Sequence, residues 1–479
     1  MDAVHFSLAQ VALQEGEWLL IQHHIHTEQP DMPPASVTLD NTLKSLYASD
    51  GNSDEIVLVY ALPSADTQLI TSIPLTTHYA YQAPLAWAGD LGRLVRMNLQ
   101  VVPQIFGFLA GKMDVVMFDL ENEGFDHRED AEHTFSQLIP AQQPRVHFVE
   151  RPEDIAIPPG TSIAVVQPMD CLTHLPHVVD PEVHYEVQSK RGLAVSGIPT
   201  PSSEVIDTIL RPDQVNISSF VEPEVARMTK PIVTRSPPFV IKMAQSCSGQ
   251  GVWVVRSEED KKNALDTIAQ ALPKLIQQTV ESNQHLKPSS FILQEMVPSE
   301  TRGLSLFITK AGRPIFLGCC RQYIDDTGHW AGGFVSYDEQ EDLEHEYASI
   351  AKDIARYCHK VGYYGPFGVD VMDDGKNQKL VIDPNARVQG TTPLCFLKEH
   401  FTSRNMKESV IFFPLFLTCT LDEFEKIFAS EFSDGSLIVI GWSHYNHISV
   451  TSVILGAENQ EKLGAFIDRL NVYKVDEEG

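Results

Sequence analysis

GVDVMDDGKNQKLVIDPNAR, residues 368–387, is the stretch on which the reading of the fold turns. Apolar runs flank a polar centre with a glycine, which predicts a β-hairpin with strands over 364–374 and 379–386. Asp370 lies on the first strand. Asp383, Asn385 and Arg387 stand two apart on the second, and side chains two apart share one face of a strand. The hairpin can therefore bring Asp370 against Asp383. Two like charges on a largely apolar hairpin cost stability unless a cation joins them. Two carboxylates and the Asn385 amide oxygen suit magnesium, a hard ion that prefers oxygen and also takes phosphate oxygens. Arg387 beside them suits a phosphate or a developing oxyanion. The alternative is a solvated hairpin face with an ion pair.

Upstream, PPFVIKMAQSCSGQGVWVV (237–255) reads as strand, polar glycine loop, strand. Lys242 ends the first strand, and Gly249 and Gly251 lie near the second. Small residues let backbone amides approach a phosphate, and the lysine supplies charge. The pattern is not a Walker loop, because the lysine precedes the loop and a strand follows it. A plain hairpin with a glycine turn is the alternative. A helix follows, with Ser257 as N-cap and Asp260 three residues on. Its apolar stripe is Ala264, Leu265, Ile268, Leu272, Leu275 and Ile276, and Pro273 is expected to kink or break it.

Further strands are expected at SFILQEMV (290–297), LSLFIT (304–309) and RPIFLGCCRQ (313–322), the last two as a hairpin turning at Lys310–Gly312. A helix is expected from Asp342 to Val361, with Leu343, Tyr347, Ile350, Ile354, Cys358 and Val361 at helical spacing. SLIVIGW (436–442) and ISVTSVILG (448–456) read as strands, and VIFFPLFLTC (410–419) as a buried element. Residues 1 to about 175 alternate strand-like and helix-like pieces: GEWLLIQHHI (16–25), DEIVLVYALP (54–63), MDVVMFDL (113–120) and SIAVVQP (162–168) as strands, LAWAGDLGRLVRMN (85–98) as a helix. That alternation indicates an α/β domain with a mainly parallel sheet. SGIPTPSS (196–203) reads as a loop before a short polar helix.

The 479 residues are 43% hydrophobic and 21% charged, as in ordinary globular proteins. With 36 Lys+Arg against 64 Asp+Glu, the net charge is -28. So acidic a surface repels nucleic-acid backbones and anionic lipid heads, so no nucleic-acid partner is expected. Seven scattered cysteines without a CxxC pair form neither a disulfide framework nor a zinc site and read as reduced thiols. No apolar run reaches the ~18 residues of a membrane span, and the first residues lack a signal-peptide pattern. The expected location is cytoplasmic.

The order lysine-strand, glycine loop, hydrophobic strand ending in Glu, then D(x)12DxN resembles the ATP-grasp superfamily over roughly residues 185–400. D-Alanine–D-alanine ligase, biotin carboxylase and glutathione synthetase belong to that superfamily, and ATP-grasp proteins of fungal specialised metabolism are a narrower likeness. The resemblance implies an α/β (α+β) ATP-grasp fold: an N-terminal α/β domain over 1–180, a linker and helical segment over 181–236, a lid over 237–303 and a catalytic domain over 304–479. It implies ATP with Mg2+ or Mn2+, a carboxylate and an amine (an amino acid among them) as substrates, an acyl phosphate intermediate and a homodimer. A phosphotransferase or a non-catalytic ATP-binding regulator are the other readings of the scaffold.

By position, the resemblance gives Lys190 and Lys242 to the phosphates, and Ser246, Ser248, Gly249 and Gly251 to the closing loop. Gln294, Glu295, Met296 and Val297 fall on the adenine hinge, and Glu300 near the ribose. Asp370, Asp383 and Asn385 are the implied metal ligands, and Arg387, Arg321 and Lys242 the catalytic cations. Lys190 also reads as an ordinary helix-surface lysine. His329 and Trp330 read as a packed loop tip or as pocket walls. Two features depart from the family pattern: Asp383 stands where Glu is usual, and Gly368 where some members carry a substrate-binding arginine.

Overall fold

Short runs of β-branched and apolar residues build the first sheet of this computed structural model, which describes residues 34–60, 72, 77–82, 92–119, 127–246, 251–324, 330–376, 378–445 and 447–475. β1 (Glu55–Val59), β2 (Asp114–Phe118), β3 (Arg145–Val149) and β4 (Thr161–Val165) form an all-parallel sheet in the order β3-β2-β1-β4. β3 escapes a reading for apolar runs, because its sequence, RVHFV, is half polar and half exposed. It is tied to its neighbour by Arg145 and His147, which both pair with Asp114. The expected strand over 16–25 lies outside the described residues. The expected helix over 85–98 is described from Gly92 and runs on to Phe108 with Pro103 inside it. It continues because its far half packs on the C-terminal sheet: the Gln104 amide donates to Trp442 O (2.8 Å) and accepts from Trp442 N (3.0 Å).

A second, antiparallel sheet holds β5 (Ser203–Ile206), β6 (Phe239–Met243), β7 (Val252–Val255) and β8 (Phe291–Glu295) in the order β5-β8-β6-β7. Its core joins Ile241, Phe291 and Leu293 to Met228 and Ile232 of the helix Ser218–Thr234 and to Ile268, Leu272 and Ile276 of the helix Glu258–Gln277. SGIPTPSS thus leads into an edge strand and then a 17-residue helix, not directly into a short polar one. The segment 181–236, expected as linker and helix, contributes both elements to this layer. The Ser257–Asp260 capping box forms as expected, but Pro273 does not end the helix. Burial of Ile268, Leu272 and Ile276 on both sides of the proline carries the helix across it.

The third sheet has eight strands, in the order β13-β12-β9-β10-β11-β14-β16-β15. They are β9 (Arg302–Ile308), β10 (Pro314–Ile324), β11 (Trp330–Ser336), β12 (Gly365–Asp373), β13 (Lys379–Asn385), β14 (Glu408–Leu417), β15 (Leu437–Tyr445) and β16 (Ile448–Ala457). The helix Gln340–Val361 covers one end of one face, burying Leu343, Tyr347, Ile350, Ile354 and Cys358 against Leu304, Leu306 and Ile308. The helices Leu421–Ile427 and Gln460–Asn471 cover the other end, around Phe424, Trp442 and Leu463. The six described cysteines are free and buried; Cys247 lies outside the described residues. Among the described residues no helix is long and apolar enough to cross a membrane.

His400 anchors a helix to the sheet edge by donating from Nε2 to Gly435 O at 2.9 Å. Burial, with Arg404 adding to it, holds its pKa down to about 4, and burial holds His184 down to about 4 as well. An unfolded histidine titrates near ~6.5. Between that value and 4 the unfolded chain takes up protons that the native chain refuses, so stability falls as pH falls. Each imidazole withdraws roughly 2 kcal/mol by about pH 5. Urea denaturation at about pH 7 and about pH 5 is expected to show a smaller loss of stability in His400→Gln, with the His184 share of the loss remaining.

Candidate functional site

The β12–β13 hairpin sets Asp370 directly opposite Asp383, with a bulge immediately after Asp370, and sets Asn385 opposite Gly368. Paired residues of an antiparallel ladder share a face, so the two carboxylates stand together. Burial pushes the Asp370 carboxyl well above the usual carboxylate range, and the Asp383 charge pushes it further. Lys242, a hydrogen bond from Gln322 Nε2 and Lys190 pull it back down.

The two lysines reach this pair from elsewhere. Lys190 opens the helix Lys190–Ser196, whose N-cap Ser189 accepts from Gly192 N. Its Nζ lies 2.9 Å from Asp383 Oδ1 and donates to Ser246 O at 2.7 Å. The side chain is buried, so it is not a surface lysine. Lys242, on β6, donates from Nζ to Ile382 O at 2.6 Å, and burial lowers its pKa to about 8. A cleft between the small and large sheets thus closes on two buried ammonium groups and two carboxylates.

The remaining expected residues distribute as follows. Ser246 lies beside Lys190, and Gly251 takes a φ of 68° where the loop returns to β7. Ser248, Gly249 and His329 lie outside the described residues. Gln294 is buried on the same face of the small sheet as Lys242, and its side chain donates to Ser203 Oγ at 3.0 Å. Glu295 and Glu300 are exposed, and Met296 and Val297 half-buried, on the segment leaving β8. Arg387 lies past the end of β13, where its N–H donates to Asn385 O at 2.6 Å. It therefore does not continue the strand face shared by Asp383 and Asn385, although it is half-buried and makes no ion pair among the described residues. Trp330 packs its ring over Gly390, so tightly that a Cβ there would lie 2.2 Å from it.

Arg321 requires a correction. Its neighbour Gln322 reaches Asp370, and strand residues alternate faces, so Arg321 points to the opposite side of the sheet. There it faces Glu339 at 3.4 Å, half-exposed. The sequence showed a strand-borne arginine but not which face it occupies.

Sequence reasoning also missed the groups that finish the site. Gln389 donates to Ser305 Oγ (3.0 Å), and Ser305 bonds Thr392 Oγ1 (3.1 Å), all buried. His184, neutral and buried, holds Ala386 O at 2.8 Å and so fixes the turn between Asn385 and Arg387. The signal for His184 was absent from its local sequence, since its partner lies 202 residues away.

Asp383 Oδ1 is buried and has no hydrogen bond of good geometry, although the Lys190 ammonium lies beside it. This under-satisfied oxygen, opposite an acid that cannot easily carry its charge, fits a divalent cation. Among the described residues no group of three or more His, Cys, Asp or Glu could hold a metal. The oxygen donors that the hairpin offers an ion are two carboxylates and the Asn385 amide, a set suited to an ion that shares its shell with phosphate and water.

Residues 221–385 match a family model described as L-aspartate--L-methionine ligase, ATP grasp. Over that stretch the chain is similar to ATP-grasp ligases. The matched stretch runs from the small-sheet helix through Lys242 to Asn385. No curated protein sequence matches the chain. Among solved structures, phosphoribosylamine–glycine ligase from Thermotoga maritima is 12% identical, with a TM-score of 0.50 over 88% of this chain and 97% of that one. An L-amino acid ligase from Bacillus licheniformis is 10% identical, with a TM-score of 0.49, covering 88% of this chain and 98% of that one. The ADP complex of purK, N5-carboxyaminoimidazole ribonucleotide synthetase, is 11% identical, with a TM-score of 0.49, covering 93% and 98%. The Thermotoga structure supports the ATP-grasp fold.

The correction of Arg321 has a measurable side. Arg321→Ala is expected to leave ATP turnover within about twofold and to change stability by less than about 1 kcal/mol, as for an exposed ion pair. A loss of turnover beyond tenfold in this variant would return Arg321 to the site.

Proposed function

We propose that the chain binds ATP between the small and large sheets, activates a substrate carboxylate as an acyl phosphate, and couples it to an amine with release of ADP and phosphate. An α-amino acid is the proposed carboxylate, in keeping with the aspartate–methionine ligase description of the matched model. The observation that carries the reading is the convergence of Lys190 and Lys242 on the facing pair Asp370 and Asp383.

Phosphoryl transfer needs positioning and charge neutralisation more than covalent help from the protein. Lys190 and Lys242 supply two positive charges from separate elements, placed to take phosphate oxygens. Asp370, Asp383 and Asn385 would hold Mg2+ or Mn2+. When bound, such an ion neutralises the triphosphate and polarises the transferred phosphoryl group. Arg387, on the turn that His184 fixes, offers a guanidinium for the oxyanion formed when the amine attacks the acyl carbon. Ser246, beside Lys190, lies at the proposed phosphate end of the cleft, and excluding water there would protect an acyl phosphate from hydrolysis.

An ADP-release screen of carboxylic acids crossed with amines, followed by mass spectrometry, tests the reading. The expected product is an amide with free phosphate; phosphate retained on the product would make the chain a phosphotransferase. Asp383→Ala and Lys242→Ala are each expected to lower acid-dependent ADP release at least ~100-fold, the scale of removing one preorganised charge. Undiminished turnover in both variants defeats the proposal.

A further inference from the structure

We infer that Gly303 is the floor of the subsite for the acid substrate and sets its size, and that the Thr391 hydroxyl and the Gln322 amide hold the bound carboxylate there. The inference rests on the function proposed above and names where on the sheet the acid lies.

Gly303 sits in the interior of β9, paired with Asp370 on one side and Cys320 on the other. Neither ladder is irregular at that position, and its φ is not in the left-handed region. Backbone conformation therefore does not require glycine. A glycine inside a strand weakens it, and where no bulge explains it, it marks a close approach by another group.

The surroundings say what approaches. A Cβ built on Gly303 would lie 3.4 Å from Thr391 Oγ1, 3.5 Å from Gln322 Nε2 and 3.5 Å from Gln389 Nε2. Three polar side-chain atoms, from β10 and from the turn 389–392, thus face one position over a bare backbone. Gln389 Nε2 is engaged with Ser305 Oγ. Gln322 donates one amide hydrogen to Asp370, and a primary amide has a second. Thr391 is 3% exposed, and its hydroxyl makes no hydrogen bond among the described residues. That oxygen is not among the fully enclosed atoms left without a partner, so a ligand can reach it and supply the bond.

Distance then selects the ligand. Neighbouring strands lie ~4.8 Å apart, so this position is one strand's width from Asp370. A carboxylate oxygen resting over Gly303 would stand beside a phosphoryl group held at the Asp370–Asp383 pair, within reach of the ~3–3.5 Å approach that in-line attack needs. The donors here are neutral, so they hold the carboxylate without quenching its nucleophilicity as an ammonium would. Space for little more than a methyl group limits the acid to one unhindered beside its carboxylate.

Gly303→Ala places a methyl group at ordinary contact distance from its neighbours and is expected to fold. The expected result is a rise of at least tenfold in the KM for the acid and in its dissociation constant. The latter is measured by calorimetry in the presence of a non-hydrolysable ATP analogue, with affinity for that analogue held within about twofold. Thr391→Val keeps the shape, removes the hydroxyl, and is expected to raise both acid constants about tenfold. Unchanged acid constants in both variants of an active enzyme overturn the inference and leave the proposed function standing. Gly303→Ala with lost nucleotide binding, together with Thr391→Val at wild-type constants, also overturns it, since the glycine then serves strand packing. Wild-type protein that releases no ADP with any acid defeats the function itself, a different outcome.

Discussion

Two carboxylates facing each other across one pair of strands are the constraint around which the rest of the molecule is arranged. The register of β12 and β13 leaves Asp370 and Asp383 no means of avoiding each other. Burial raises the cost, since a charge taken out of water has to be compensated by a partner or given up. The compensation comes from outside the hairpin. Lys242 arrives from the small sheet and Lys190 from the start of a helix whose first N–H bonds Ala244 O on the small-sheet side. The charges of the large sheet are thus balanced by groups mounted on its neighbour, and the contact between the two layers is itself the site.

Around that contact the chain departs from good local folding practice in a consistent way. It buries two lysines, half-buries two aspartates, places glycines at 303 and 368 inside strands, and leaves Asp383 Oδ1 without a hydrogen bond of good geometry. Each departure costs stability where it occurs, and departures that cluster at one place belong to function more often than to folding. The supporting groups obey the ordinary rules. Ser305, Gln389 and Thr392 satisfy one another, and His184 stays neutral to hold a carbonyl. Satisfied groups hold the unsatisfied ones in place.

Much of this was legible in the sequence, for reasons that particular residues show. The hairpin over 368–387 was readable because period-two spacing fixes which side chains share a face. The helix after Ser257 was readable because its cap and its apolar stripe are both local. Arg321 was misplaced because a single strand does not reveal which face meets the cleft; only its register with β9 and β11 does. β3 was hidden because an exposed edge strand has no need of an apolar run. Gln322, Thr391 and His184 were invisible for a deeper reason: each takes its role from a residue or a gap far away in the chain, and no local pattern encodes that distance.

The ion cluster also explains why the site uses lysine where arginine would bind phosphate more firmly. In the structure each ammonium already has an oxygen partner, Lys190 with Asp383 and Ser246 O, Lys242 with Ile382 O. A compact ammonium on a flexible stem can exchange such partners with little movement, whereas a guanidinium in a bidentate pair gives up its geometry when it leaves. A bound cation would give the acids a new partner, and nucleotide phosphates would give the lysines theirs. Replacing one set of partners by the other conserves the pairing of every charge. In a chain carrying a net charge of -28, that local pairing is what makes a cleft acceptable to a polyanion which the surface as a whole repels.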